Sequence, residues 1–246
     1  MSRSGAEALL RLGTAAWVLQ GPGGEVRAAL DGDGPAAALD RLQVAGGLRG
    51  ARLRACLGDG WLRYLVLRWP QGVRSAVERA AYLAHRFAEV HRVGVDDWVL
   101  GADRDAIELP ALACAVPAEV LAALRSFAAR EGCALAGVTG DFVHAYNALR
   151  ARFDEGEGEH AALALLYEGR LTVGMWRAGA WAGVRSQAVR DDGAAVLRRM
   201  VEAWARDTAS SAAEAAPETV GGVVYAAGFA GSVPARWRRI DLELPA

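Results

Sequence analysis

The chain has 246 residues, of which 53% are hydrophobic and 23% are charged, and its formal net charge is −1. This composition predicts a folded globular protein of one large or two modest domains and excludes a disordered tail protein. The near-neutral balance excludes a large electrostatic field that would attract nucleic acid or an anionic membrane.

The spacing of apolar residues predicts an α/β chain in which strands and helices alternate. The predicted strands cover residues 8–20, 25–30, 52–57, 61–69, 98–102, 111–116, 133–138, 161–167, 170–177, 180–188 and 221–227. The predicted helices cover residues 35–43, 72–92, 117–131, 140–153 and 192–208.

Local signals predict the turns and the helix ends. The Gly-Asp-Gly sequence at 58–60 predicts a hairpin that joins the strands on either side, with Asp59 as a type I′ turn residue. Thr139 is the predicted cap of the fourth helix, and Asp191 or Asp192 is the predicted cap of the fifth.

An acidic segment separates the two halves of the chain. Residues 154–160 hold four acids and two glycines, which predicts a solvated connector and a domain boundary. We therefore expect a first lobe over residues 1–153 and a second over residues 161–246. Both halves begin with a strand meander that leads into helix and strand crossovers, which favours a duplicated ribonuclease-H-like architecture with mixed sheets.

Cysteine usage and hydropathy bear on the compartment. Cys56, Cys114 and Cys133 have no CxxC spacing, so we expect reduced, mostly buried thiols and neither a disulfide framework nor a zinc site. No apolar run approaches the roughly 18 residues of a membrane span, and the first residues lack a signal-peptide pattern. These features predict a cytoplasmic protein that reaches a membrane only indirectly.

Several short segments carry a resemblance to a known family. Residues 9–13, 61–70, 111–124 and 161–181, with the Glu-Gly-Arg-Leu sequence at 168–171, resemble bacterial actin-like assembly proteins. These are PilM of type IV pili, the MshI-type proteins of related pili, and the cytoplasmic domain of GspL of type II secretion. The resemblance implies the two-lobed fold of actin, hexokinase and Hsp70. It also implies a platform component that binds inner-membrane partners or the assembly ATPase.

The resemblance also implies where nucleotide enzymes of this superfamily hold magnesium and phosphate. The first hairpin keeps Gly13 and Thr14, but Arg11 and Leu12 stand where an acid is needed. The matching strand of the second lobe has no aspartate, and its acid, Glu168, lies in the turn. We therefore predict no catalytic residues, no metal site and no cofactor.

One nucleotide-type motif is retained near the end of the chain. The turn around Gly228, Gly231 and Ser232 is similar to the adenosine-binding turn of the superfamily, where glycines let the backbone approach base and ribose. It has Ala227-Gly228 in place of the usual paired glycines. We interpret it as a vestigial cofactor-binding turn.

Two kinds of residue could contact a partner. The chain has eight tryptophans, and Trp17, Trp61 or Trp237 would be a binding hot spot if it lay on an exposed edge. The three arginines within 236–239 could meet a phosphate or an acidic partner but are interpreted as a solvated edge.

Three functional hypotheses follow. The first is a non-enzymatic, cytoplasmic, actin-like scaffold of a type II secretion or type IV pilus platform, recruited to the inner-membrane face by a bitopic membrane protein or the assembly ATPase. The alternative is a nucleotide-binding ATPase or phosphotransferase of the same fold. The third is an unrelated α/β binding protein. All 28 basic residues are arginine, so mechanisms that require a lysine are excluded from the alternative.

Overall fold

The computed structural model of the protein describes residues 6–42, 47–103, 108–153, 160–190, 192–211, 221–228 and 231–243, with the backbone alone for 205–211. Its helices are α1 (Pro35–Asp40), α2 (Ala76–His91), α3 (Ala118–Glu131), α4 (Asp141–Leu149) and α5 (Gly193–Ser211), and a 3₁₀ turn, Arg150–Arg152, follows α4. Its strands are β1 (Glu7–Leu12), β2 (Ala16–Gly21), β3 (Gly24–Ala29), β4 (Arg52–Leu57), β5 (Arg63–Leu67), β6 (Trp98–Ala102), β7 (Ala111–Pro117), β8 (Ala134–Gly140), β9 (His160–Tyr167), β10 (Arg170–Arg177), β11 (Ala180–Ala188), β12 (Gly222–Ala227) and β13 (Trp237–Leu242).

Two five-stranded sheets share one topology. The first has the order β3-β2-β1-β4-β8 and the second the order β11-β10-β9-β12-β13. In each, an antiparallel meander continues into two parallel strands, so both sheets are mixed. A third sheet has the order β5-β7-β6. The predicted α/β class, the mixed sheets and the duplication are confirmed.

The chain divides into two compact units, and each is discontinuous in sequence. The first unit comprises Met1–Arg63, His91–Leu100 and Ala115–His144, and the second comprises Tyr64–Val90, Gly101–Cys114 and Ala145–Ala246. The lobe boundaries predicted from sequence stay a prediction. Residues 154–159 of the predicted connector lie outside the described residues, and His160 is the first residue of β9.

The core of the first unit is built on the alternation of β1. Leu10 and Leu12 are buried on one side of the strand, and α3 contributes Leu124 and Phe127 to the buried set. Helix α3 ends where Gly132 adopts the left-handed conformation with φ 65°, as the sequence predicts. No helix in the described part of the chain combines the length and the apolar character needed to cross a membrane.

The core of the second unit lies between α5 and one face of its sheet. The apolar stripe of the helix presents Leu197, Val201 and Trp204, all buried, and the sheet presents residues such as Val173 and Met175. Asp192 caps the helix, since its Oδ1 accepts the Ala195 N–H at 2.9 Å, while Asp191 lies outside the described residues.

The hairpin predicted around residues 58–60 is wrong. Strand β4 pairs in parallel with β1 and β8, whereas β5 belongs to the three-stranded sheet. Asp59 is not among the residues with positive φ, so it does not occupy a type I′ position. The strands diverge because Asp59 and Trp61 turn their polar groups inward, to partners far away in sequence.

Three other boundaries differ from the sequence prediction. The strand predicted at 8–20 is two strands, β1 and β2, since the Gly13 N–H donates to Ala16 O at 3.1 Å and closes a turn. Helix α2 starts later than predicted, because Ser75 and Glu78 form a reciprocal capping box. Thr139, the predicted cap of α4, is the penultimate residue of β8.

The last strand, β13, was not predicted at all. It pairs in parallel with β12 and forms an edge of the second sheet. Its alternation is obscured because Arg238 and Arg239 stand beside each other, although Trp237 at its start is buried.

Candidate functional site

The turn between β1 and β2 is closed by the protein's own indole groups. Gly13 O accepts hydrogen bonds from Trp17 Nε1 and Trp61 Nε1, each at 3.1 Å. The two indole rings meet edge to face, with centroids 6.2 Å apart. The indoles thus fix the Gly13 carbonyl, while the Gly13 N–H, the kind of donor that a phosphate would need, donates to Ala16 O at 3.1 Å.

The β1 strand offers no carboxylate beside this turn. Leu12 is buried in the core and Arg11 is half-buried, and neither side chain has the oxygen atom that a magnesium ion would need as a ligand. The buried acids of the first unit are Asp59, which follows β4, and Asp141, which begins α4. They are 7% and 8% exposed.

Asp59 and Asp141 both act near the start of α4. Asp59 Oδ1 accepts the Phe142 N–H at 3.2 Å, which satisfies one of the first-turn amides that have no intrahelical acceptor. Asp141 Oδ1 accepts the Cys56 thiol at 3.1 Å. The resulting cluster, Cys56, Asp59 and Asp141, is hereafter the first-unit polar cluster.

Sequence reasoning missed this cluster. Asp59 follows β4 and Asp141 follows β8, and these are neighbouring parallel strands of one sheet. Carboxyl ends of neighbouring parallel strands meet at one sheet edge, so an acid just after each strand was the available signal. The incorrect prediction of a hairpin at 58–60 assigned Asp59 to a local turn, so the sequence prediction gave no reason to place it near Asp141.

The electrostatics of the cluster make the thiol a donor and not a nucleophile. Burial raises the pKa of Cys56 far above its ordinary value, and the negative charge of Asp141 raises it further. Burial also lowers the pKa of His144, and the positive charges of Arg11 and Arg54 act in the same direction. At neutral pH the thiol is therefore protonated and the imidazole is neutral.

The cluster does not assemble a metal centre. Across the described residues, no group of three or more histidine, cysteine, aspartate or glutamate side chains is placed to hold a metal ion. The acids serve the protein's own amide and thiol donors. The absence of a metal site and of a cofactor stays a prediction.

In the second unit, the turn that follows β9 matches the sequence analysis. Glu168 and Gly169 have φ values of 46° and 69°, and Ala178 and Gly179 at the next turn have 49° and 73°. Positive φ at both central residues is typical of type I′ hairpins. Glu168 is exposed in its turn, and no aspartate lies on the strand before it.

The predicted adenosine-type turn follows β12, and its glycines fit tightly against the chain itself. Gly228 has φ +84°, and a Cβ there would lie 2.1 Å from the backbone oxygen of Leu166. A Cβ on Gly231 would lie 2.4 Å from Ala194 Cβ in the first turn of α5. Ser232 is exposed. Close packing on β9 and α5 therefore already accounts for both glycines.

The start of α5 beside this turn is not open to an anion. Asp192 Oδ1 accepts a hydrogen bond from the Ala195 N–H at 2.9 Å. Its negative charge therefore partly neutralises the positive N-terminal end of the helix dipole. Arg239 donates a hydrogen bond to Gly231 O, which holds the turn from the other side.

The tryptophans predicted as candidate hot spots lie inside the molecule. Trp17 and Trp237 are 0% and 6% exposed, and half-buried Trp61 donates to Gly13 O. Trp181 and Tyr146 are two of the half-buried aromatic residues, and their ring centroids are 4.7 Å apart.

Comparison of the sequence with protein-family models and with curated proteins finds no match. Comparison of the structure finds similar folds. The cytoplasmic domain of EpsL, an inner membrane component of the type II secretion system of Vibrio cholerae, is 13% identical, with 98% of this chain and 90% of that chain covered and a TM-score of 0.56.

Two further solved structures are similar. A chain of the PilM–PilN type IV pilus biogenesis complex is 11% identical, with coverages of 90% and 81% and a TM-score of 0.57. A Bacteroides thetaiotaomicron protein with an actin-like ATPase fold and unknown function is 8% identical, with coverages of 92% and 82% and a TM-score of 0.55. The predicted resemblance is thus confirmed at the level of the fold, which is actin-like.

Proposed function

We propose that the chain is a non-enzymatic, actin-like scaffold of a type II secretion or type IV pilus platform. One observation carries the proposal: the backbone at the two nucleotide-type turns contacts the chain itself. The Gly13 N–H donates to Ala16 O at 3.1 Å, and a Cβ at Gly228 would lie 2.1 Å from the Leu166 oxygen. The fold is shared with EpsL and with a chain of the PilM–PilN complex, which supplies the biological setting.

The same proposal assigns partners and location. The chain is cytoplasmic and is recruited to the inner-membrane face by protein contact, either with the tail of a bitopic membrane protein or with the assembly ATPase. The support is that EpsL is an inner membrane component and that PilM is described in a complex with PilN. Gly228, Gly231 and Ser232 remain as a vestigial turn without a cofactor.

The lack of nucleotide chemistry is tested by calorimetric titration of Mg-ATP into the full chain, together with a hydrolysis assay. We expect no saturable heat and no hydrolysis above background, because Arg11 and Leu12 stand where the first hairpin would need an acid to hold the metal that compensates the triphosphate charge. An active ATPase of the superfamily in the same buffer is the positive control. Micromolar affinity would overturn the proposal and favour the nucleotide-dependent alternative.

A further inference from the structure

The two five-stranded sheets have four edge strands, β3, β8, β11 and β13. An edge strand presents a row of backbone N–H and C=O groups that can pair with another chain, and charges or bulges normally block it. All four edges show such features, to different extents. β3 carries Glu25 and Arg27, and β13 has three charged residues among six. β8 has a register shift opposite Leu53 and Arg54.

The edge strand β11 combines a regularly paired run of six residues with a single charged residue. It has nine residues, and Arg185 is its single charged residue. Its register shift lies opposite Met175 and Trp176, near its start, so residues 183–188 pair regularly with β10. Six regular residues are enough to accept another strand, because strands in globular proteins are usually about five to six residues long.

The side chains of β11 give its two faces different chemistry. Trp181 is in register with Trp176, and Val184 is in register with Gly174. The side chains of Trp181 and Val184 therefore lie on the same face of the sheet as the Trp176 ring. The Trp181 ring is half-buried and packs at 5.6 Å from the Trp176 ring. A strand added here would place apolar side chains beside Trp181 and Val184.

The opposite face of β11 carries the strand's single charged residue, Arg185, and no acid lies between residues 170 and 190 of the sequence. Arg185 is exposed and lies in register with Val173, whose side chain faces α5. Acidic side chains at the alternate positions of an added strand would therefore lie next to Arg185.

We propose that the β11 edge binds an extended segment of a protein partner by strand addition, with apolar and acidic residues alternating along that segment. Backbone hydrogen bonds supply the affinity and the two faces supply the specificity. The inference rests on the proposed function, because it concerns the partner that the scaffold binds. A second copy of β11 would fit poorly, since it would bring arginine-rich, acid-free hairpins together.

The test uses a fluorescent nine-residue peptide of alternating valine and glutamate, titrated into the full chain by anisotropy. We expect saturable binding, no binding by the valine–lysine peptide, and loss of binding when the alternate peptide nitrogens that face β11 are methylated, whereas methylation of the other alternate set should be tolerated. Arg185→Glu should weaken binding about tenfold or more. Arg238→Glu, the same change on the opposite edge strand, should leave the affinity unchanged.

Several outcomes would overturn the proposal. Equal binding by the methylated peptides would show contact through side chains alone, and equal effects of the two arginine variants would place the peptide elsewhere. A dimer in sedimentation equilibrium that Arg185→Glu dissociates would make a second copy the occupant. Thermal unfolding of both variants checks that they are folded.

The failure of this proposal is distinguishable from failure of the proposed function. If the tail of a bitopic partner binds the wild-type chain and Arg185→Glu equally, the edge is not the site, while the scaffold role stands. If the alternating peptide binds β11 and no platform component binds the chain, the scaffold role is wrong.

Discussion

Cys56 and Asp141 show how the first unit uses polar groups inside its core. The thiol is 1% exposed and donates to a carboxylate that is 8% exposed, at 3.1 Å. Burial and the neighbouring charge raise the pKa of Cys56, so it keeps its proton and its role as donor over the physiological range. The residue is structural, although a cysteine beside an aspartate could be mistaken for a catalytic pair.

Removal of that donor should destabilise the protein. We expect Cys56→Ala to lower the free energy of unfolding by about 2 kcal/mol, because a buried carboxylate loses one hydrogen bond and a small cavity forms. Cys56→Ser keeps a donor and should cost less. Urea unfolding measures both, with Cys133→Ala at a half-buried thiol as the control.

Two results would contradict this reading. One is a Cys56→Ala variant as stable as Cys133→Ala. The other is a serine variant that loses as much stability as the alanine variant, since the hydrogen bond would then contribute little.

At the scale of elements, the end of β12 is fixed by close backbone approach. The Gly228 position has both a left-handed φ and the Leu166 oxygen within 2.1 Å of any added Cβ. Gly72 has a comparable φ of +100° but nothing within 4 Å. Alanine substitutions at Gly228 and Gly72 therefore separate the effect of backbone conformation on stability from the effect of close packing.

We expect Gly228→Ala to lower the free energy of unfolding by about 3 kcal/mol or more, because a backbone oxygen cannot move aside as a flexible side chain can. Gly72→Ala should cost only the conformational penalty, about 1 kcal/mol. Chemical denaturation of both variants gives the comparison. Equal losses would mean that β12 and β9 can separate at this point, and that the turn has room for a ligand.

The elements that could be predicted are those specified by neighbours in sequence. The tight turns of the β9–β11 meander lie at Glu168-Gly169 and Ala178-Gly179, and the sequence predicts both, although β9 begins one residue earlier than predicted, at His160. The separation of β4 from β5 depends on Asp59 reaching Phe142 and Trp61 reaching Gly13, contacts that span 83 and 48 positions. No local pattern contains those partners.

The candidate functional site also has one part that could be predicted from the sequence and one part that could not. Gly228 and Gly231 could be found because glycines in a turn are visible in the sequence, and the structure places both in tight packing. The first-unit polar cluster could not be found without knowing that β4 and β8 are neighbours. For Trp17, Trp61 and Trp237 the sequence leaves open which, if any, lies on an exposed edge, because an indole gives no sign in the sequence of the group that it contacts.

At the scale of the whole molecule, the same strand order occurs in both five-stranded sheets, and each ends a meander with two parallel strands. The fold is similar to that of EpsL and of a chain of the PilM–PilN complex at 13% and 11% identity. At the two nucleotide-type turns, Gly13 and Gly228 contact the chain itself. These two observations together support the proposal that protein contacts, and not a nucleotide, define the role of the chain.

The most direct test is calorimetric titration of a synthetic cytoplasmic tail, taken from a bitopic membrane protein encoded beside this gene, into the full chain. The account predicts saturable binding that is the same with and without Mg-ATP, and a raised melting temperature, since a ligand of the native state stabilises it by mass action. Binding that requires Mg-ATP, or no binding by that tail or by the assembly ATPase, would contradict it.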